Sequence, residues 1–380
     1  MCIVIAGIGS RNYTFERVAY GLPVPDVQFE KRFYIPWKLI NANSQWLKNT
    51  YFFCSRKTND VYHVWNGICV NNRPWITSFE AHLPRYFVSR SHRLNRWGLE
   101  RLAHPSCRRI LALSDAARNF FLWQNNGGLA GGAEEKVHVF YGGVAVEKQL
   151  VEEHRRFLDE RQEELVISFV GHEFFRKGGW PVLVALSRLR GEGRIRLKLI
   201  SALRSGDYAS RESEEQSSEA RRMVHEDPSV EWYESLPYKE VVKHMCQSHV
   251  AVLPTLDDTL GWSVIEAMSI GLPVVTTNVF ALPEIVDDEV NGFTINLPLQ
   301  ENRRWAGLAL PKDSEEFRAG RRAAYDRIVN GLIEALQRFA EDPGLVRKMG
   351  EAAVEKVKTR FNPATQGRRL RQIYDEALSK

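Results

Sequence analysis

The stretch LPTLDDTLGWSVIEAMSIGLPVV, residues 253–275, places two carboxylates, Asp258 and Glu266, on either side of a glycine. An apolar run ends in a polar loop, the loop enters a helical pattern, and the pattern stops at Gly-Leu-Pro before a second apolar run. A helix starting near Leu260 would leave the amides of Thr259, Leu260 and Gly261 without partners at its positive end, where a phosphate oxygen is stabilised. Gly261 has no side chain to keep a ligand from the backbone. Asp258 stands just ahead of that end, and Glu266 lies at most roughly 12 Å further on by helical rise. Each carboxylate can accept hydroxyl hydrogen bonds, and charge-assisted bonds of this kind contribute about 1.5 to 3 kcal/mol. A diphosphate with a polyol at either side fits this spacing. The plainer reading is that Asp257 or Asp258 caps the helix and Glu266 is a surface charge.

A second loop, VGHEFFRKGG, follows another apolar run and sets Arg176 and Lys177 beside two glycines. An arginine fork and a lysine point charge converging on a helix N-terminus make a diphosphate site that needs no metal ion. The Asp-x-Asp triplet that commonly anchors a divalent metal for nucleotide sugars occurs nowhere in the chain. No metal or other cofactor is therefore expected. The five cysteines are odd in number, widely spaced and never in a Cys-x-x-Cys pair, which argues against a disulfide framework or a structural zinc site and for a reducing cytoplasm.

These loops need elements to hold them. LVISFVG reads as a buried strand, WPVLVALSRLR as a helix with Pro181 in its first turn, RLKLIS and VEWYE as strands, YKEVVKHMCQS as a helix, and HVAVLP and PVVTTN as strands. Gly206 to Glu219 reads as a mobile loop or an exposed helix. Strands alternating with helices predict a parallel sheet covered on both faces, hence a doubly wound α/β domain. The first half is less regular, with strands predicted at CIVIAG, DVYHVWN, WITSFE and RRILALS, a helix at DAARNFFLWQ, and KVHVFYGGV closing the domain. At 380 residues with 44% hydrophobic content, two cores can be filled. The expected division is residues 1–160 and 161–363, with a charged linker helix before the second domain and a last helix, about 364–380, packing back onto the first. Two doubly wound domains in tandem predict ligand binding at the carboxyl ends of their strands. MCIVIAGIGS is too short to span a bilayer and lacks a basic leader, so it reads as a first strand.

The segments FVGHEFFRKGG, LPTLDDTLGWSVIEAMSIGLPVV and ALPEIVDDEVNGF resemble the donor-binding half of the family-4-type retaining glycosyltransferases of the GT-B fold. CRRILALSDAARNFF and KVHVFYGG are similar to segments that end that family's acceptor domain. The resemblance covers roughly residues 60 to 380. It implies that Glu266 holds the ribose of a nucleotide, that Asp258, where relatives more often carry glutamate, binds hydroxyls of the transferred sugar, and that Arg176 and Lys177 neutralise the diphosphate. Thr259, Leu260 and Gly261 match the amide loop, and His172 stands where many relatives have arginine.

On the acceptor side, Gly9 and Ser10 of GIGSRN stand where relatives carry a glycine-rich loop. Phe79 stands near an expected histidine, which leaves Glu80 or His82 as candidates near the reacting centre. His63 could face the same region, although a lone histidine at a strand end is more often structural. GIGSRN with Glu30 also begins like a dinucleotide fingerprint, but the third glycine is absent and the stretch after it is a poor helix.

The net charge of +5 is modest, but Arg85 to Arg109 holds seven arginines and one acid, Glu100, interleaved with Tyr86, Phe87 and Trp97. Such a stretch suits an anionic membrane surface or a phosphate-bearing partner, and otherwise reads as a solvated face. No nucleic-acid-binding module accompanies it. The sequence thus predicts a protein that is cytoplasmic, free or peripheral on the inner face of the membrane, and that transfers sugar from a nucleotide-diphosphate sugar to a saccharide or lipid-linked acceptor with retention of configuration. The alternative is a catalytically silent nucleotide-sugar-binding regulator or partner protein.

Overall fold

The structure is a computed structural model that describes residues 2–6, 12–32, 40–41, 43–53, 60–89, 92–126, 128–129, 132–160, 164–189, 195–204 and 209–379. The chain divides into two compact units, Met1–Val144 with Phe361–Lys380, and Ala145–Arg360.

The first unit contains strands β1 (Cys2–Ala6), β2 (Gln28–Arg32), β3 (Thr50–Tyr51), β4 (Asp60–Trp65), β5 (Ile68–Cys69), β6 (Trp75–Phe79), β7 (Cys107–Ala112) and β8 (Val137–Val139). Its helices are α1 (Tyr13–Val18), α2 (Gln45–Lys48), α3 (Arg93–Ala103) and α4 (Asp115–Gln124). Six strands form one parallel sheet in the order β2-β1-β4-β6-β7-β8, and β3 pairs with β5 separately. The chain steps from β1 to β2 on one side and then to β4 on the other, so the winding direction reverses between β1 and β4. A ligand site in a doubly wound sheet lies at such a reversal, beyond the strand carboxyl ends. Residues 7–11 follow β1, so Gly9 and Ser10 lie outside the described residues.

The stretch after GIGSRN was expected to be a poor helix, yet α1 forms there. Asn12 accepts a hydrogen bond from the Phe15 amide at 2.9 Å and caps it, while Phe15 and Val18 are buried. A cap and two anchors supply what propensity lacks. Glu30, on β2, accepts Arg32 Nη2 at 2.6 Å and the Cys2 thiol at 3.3 Å.

The second unit begins with α5 (Lys148–Asp159) and continues β9 (Leu165–Val170), α6 (Gly179–Leu189), β10 (Ile195–Ile200), α7 (Glu214–Glu226), β11 (Val230–Tyr233), α8 (Tyr238–Cys246) and β12 (Val250–Leu253). It ends with α9 (Trp262–Ile270), β13 (Val274–Thr277), α10 (Leu282–Ile285), β14 (Gly292–Ile295), α11 (Glu315–Glu341) and α12 (Pro343–Arg360). The six strands are parallel in the order β11-β10-β9-β12-β13-β14. Leu165, Val166, Ile167 and Phe169 are all buried, as a central strand covered on both faces requires. Winding reverses here between β9 and β12. The Ser/Glu-rich stretch contributes to α7, whose first turn is capped by Ser213 accepting from the Gln216 amide at 3.2 Å. The linker helix α5 packs within this unit, where His154 Nδ1 meets the Cys246 carbonyl at 3.0 Å.

The chain then rejoins the first unit through α13 (Pro363–Ser379). Arg369 and Arg371 donate to the Val139 and Pro25 carbonyls at 2.8 and 2.7 Å. His63 lies fully buried between Tyr374 of α13 and Ser78 of β6, each hydroxyl 2.8 Å from one ring nitrogen. Burial pushes its pKa down to about 3, so the ring is neutral, with one nitrogen donating and the other accepting. His63 is a core connector tying a terminal helix to the sheet.

Candidate functional site

Both loops singled out by sequence follow the strands that flank the reversal in the second sheet. Residues 171–178 leave β9, and residues 254–261 leave β12 and enter α9. They interlock through the backbone. The Leu256 amide and Thr255 hydroxyl donate to the Arg176 carbonyl at 2.9 and 3.0 Å, and Arg176 Nη1 donates to the Asp257 carbonyl at 2.6 Å. The junction requires glycine at 178, where φ is +86° and a Cβ would lie 2.1 Å from the Pro254 carbonyl oxygen.

Arg176, Lys177 and Asp258 are brought together. Lys177 Nζ pairs with Asp258 Oδ2, whose other oxygen accepts the Thr259 amide at 2.8 Å. Burial would raise the Asp258 pKa, but the adjacent charges of Lys177 and Arg176 outweigh it and hold the carboxyl below its usual range. The Arg176 guanidinium is raised: its burial is overcome by Asp258, Glu173 and Asp257, and its Nε pairs with Glu173. Among the described residues Arg176 donates through Nε and Nη1, which leaves its Nη2 donors for a ligand.

The helix differs from expectation at its start. It begins at Trp262 with Gly261, φ +81°, as the cap residue, and the Thr259 amide is already taken by Asp258. The amides of Leu260 and Gly261 have no acceptor among the described residues. Asp258 therefore closes a local turn as well as pairing with Lys177. Glu266 lies on α9 and is 9% exposed, so it is no surface charge. His172 is exposed and meets Arg204 Nη1 at 3.3 Å.

One contributor was not singled out by sequence. Arg304, between β14 and α11, forks onto Asp257, with Nε and Nη2 at 3.1 and 3.0 Å from the two carboxylate oxygens. The available signal was the basic run NRRW in a segment assigned no role.

In the first unit, Glu80 follows β6 and Asn66 follows β4. The Glu80 carboxylate accepts Arg85 Nη1 at 2.8 Å and Asn66 Nδ2 at 3.2 Å, and the Glu80 amide returns to Asn66 Oδ1 at 3.1 Å. His82 meets Gln124 Oε1 at 3.1 Å, with the rings of Phe120 and Phe87 at 4.7 and 5.2 Å. Among the seven arginines, Arg101 is spent on the carbonyls of Cys69, Val70 and Asn71, and Arg109 on Glu376. Arg90 lies outside the described residues. Arg93 and Arg96 are exposed on α3, close in sequence to Phe87 and Val88, which are 59% and 38% exposed. Among the described residues no helix is long and apolar enough to cross a membrane, and no three His, Cys, Asp or Glu side chains are grouped to hold a metal.

Two parallel-sheet α/β units of this topology define the GT-B fold. Anabaena HepE, solved in complex with UDP-glucose, superposes with a TM-score of 0.60 over 100% of this chain and 99% of its own, at 14% sequence identity. Residues 151–318 match the family model "Glycosyl transferases group 1". An uncharacterized 41.2 kDa protein in the cps region of Klebsiella pneumoniae is 25% identical over 170 residues, 44% of this chain and 43% of that protein. A D-inositol 3-phosphate glycosyltransferase of Corynebacterium kroppenstedtii is 24% identical over 232 residues, 60% of this chain and 44% of that protein. The matches thus span less than half the length of these curated relatives.

Proposed function

We propose that the protein transfers a sugar from a nucleotide-diphosphate sugar to a saccharide or lipid-linked saccharide acceptor, with retention of configuration and without a metal. The observation that carries this reading is the meeting of Arg176, Lys177 and Asp258 at the winding reversal of a sheet within the segment that matches the group 1 glycosyl transferases. UDP-glucose in the structural neighbour HepE supports the donor class.

In this reading the spare donors of Arg176, the Lys177 ammonium and the amides of Leu260 and Gly261 receive the diphosphate. Lys177 can keep Asp258 and still donate to phosphate, because an ammonium has three N–H groups. Glu266 takes ribose hydroxyls and Asp258, kept ionised by its neighbours, takes hydroxyls of the sugar. As the bond from the anomeric carbon to the diphosphate oxygen breaks, negative charge grows on that oxygen and is stabilised by groups already in place. The acceptor hydroxyl attacks from the same face, and its proton passes to the leaving diphosphate. No protein nucleophile is needed.

On the acceptor side, Glu80 stands at a strand carboxyl end, held by Arg85 and Asn66. The engagement of Glu80 and His82 with protein partners favours a second reading, a nucleotide-sugar binder that does not turn over. Release of nucleoside diphosphate from a panel of UDP-, GDP- and ADP-sugars, with chelator and with candidate lipid-linked acceptors, separates the two. Acceptor-dependent release that survives chelator and is lost in Lys177→Ala is expected. Binding without release leaves the regulator reading.

A further inference from the structure

Asp257 is buried, with 4% of its side chain exposed, and its two ends hold different arginines. Its carboxylate takes the Arg304 fork, while its carbonyl takes Arg176 Nη1 at 2.6 Å and the Thr255 hydroxyl at 2.9 Å. The next residue is Asp258, paired with Lys177. Arg304 is itself fixed. Its amide donates to Asn302 Oδ1 at 3.1 Å, its carbonyl accepts the Gln300 amide at 2.8 Å, and neighbouring Trp305 is buried against Phe317. Lys312 adds a further positive charge near Asp257 and Arg304.

We propose that Arg304 is a positioning residue for the phosphate site: by clamping Asp257 it sets the carbonyl that aims Arg176 and the turn that presents Asp258. The inference rests on the donor-site reading above. Two features favour positioning over mere stability. The bidentate fork fixes both distance and angle of Asp257, which a point charge does not. The group it fixes contacts a phosphate-binding candidate directly, through one carbonyl. In this inference the loss of Arg304 acts through Asp257 and Arg176.

The test compares nucleoside diphosphates with their monophosphates, using UDP/UMP, GDP/GMP and ADP/AMP as probes in calorimetry on the full chain. Arg304→Lys keeps the charge and loses the fork. Because removing the charge alone strands a buried carboxylate, the second variant is the double Asp257→Asn/Arg304→Gln, which removes both partners of this ion pair. In both, the preference of diphosphate over monophosphate is expected to fall about tenfold, the size of one charge-assisted hydrogen bond, with monophosphate affinity near the parent's. An unchanged preference in either folded variant overturns the inference, as does an equal loss for both ligands, which marks general loosening. If the parent binds no nucleoside diphosphate, the donor-site reading falls and takes this inference with it.

Discussion

Lys177 and Asp258 show how one pair of residues can serve two ends. The charges of Lys177 and Arg176 hold the buried Asp258 carboxyl ionised, and a group that stays ionised can bind a ligand over a wide pH range. His63 shows the opposite use of burial, since a histidine within β4 has been made neutral and committed to Ser78 and Tyr374. Its pKa of about 3 lies below the 6.5 of the unfolded chain, so between those values the unfolded state binds a proton that the folded state refuses. Stability from this residue is whole above pH 6.5 and declines as pH falls, by up to about 1.4 kcal/mol per pH unit. His63→Gln, measured by denaturant unfolding from pH 7 to pH 4, is expected to be less stable at pH 7 but to lose stability less steeply on acidification. A slope equal to the parent's would show that His63 is not the titrating group.

At the scale of elements, the second sheet was legible because β9 and β12 are apolar runs broken only by Ser168, and buried parallel strands leave that mark. The loops after β9 and β12 were legible because they combine glycines with charge at strand ends. Strand β2, QFEKR, was not, since its charged residues hide it, and α1 depends on a cap and two anchors more than on propensity. The ion pair of Arg304 with Asp257 could not be read at all, because its partners meet only once the sheet has formed. The interlock of the two site loops makes a testable demand. Gly178→Ala places a methyl against the Pro254 carbonyl in a backbone region that L residues rarely adopt, and it is expected to cost about 2 to 4 kcal/mol. Thermal unfolding reads that cost, and nucleotide affinity should fall with it. A variant as stable as the parent would mean the two loops do not approach as described.

For the whole molecule, the chain builds one unit, leaves it after Val144, completes the second, and returns with α13 to finish the first. The structure divides the arginines of the basic stretch between the fold and the surface. Several of the arginines serve the fold, while Arg93 and Arg96 are exposed, a few residues along the chain from exposed Phe87 and Val88. Basic residues with apolar side chains suit the interface of an anionic bilayer, where each cation near the surface contributes about 1 kcal/mol. Sedimentation with phosphatidylglycerol vesicles is expected to recover the parent at low salt, with recovery falling at high salt and in Arg93→Ala/Arg96→Ala. Equal recovery of parent and variant would remove this surface from the proposal.

The most direct test of the donor site is calorimetric titration of UDP, GDP and ADP and their sugars, without added metal, into the parent, Lys177→Ala and Glu266→Ala. One nucleotide should bind the parent, with Lys177→Ala weakening the diphosphate by about tenfold or more and Glu266→Ala weakening nucleotide and nucleotide sugar alike. Binding that ignores both substitutions, or no binding of any nucleotide to the folded parent, would contradict it and leave Asp258 and Glu266 as structural carboxylates of a helix entrance.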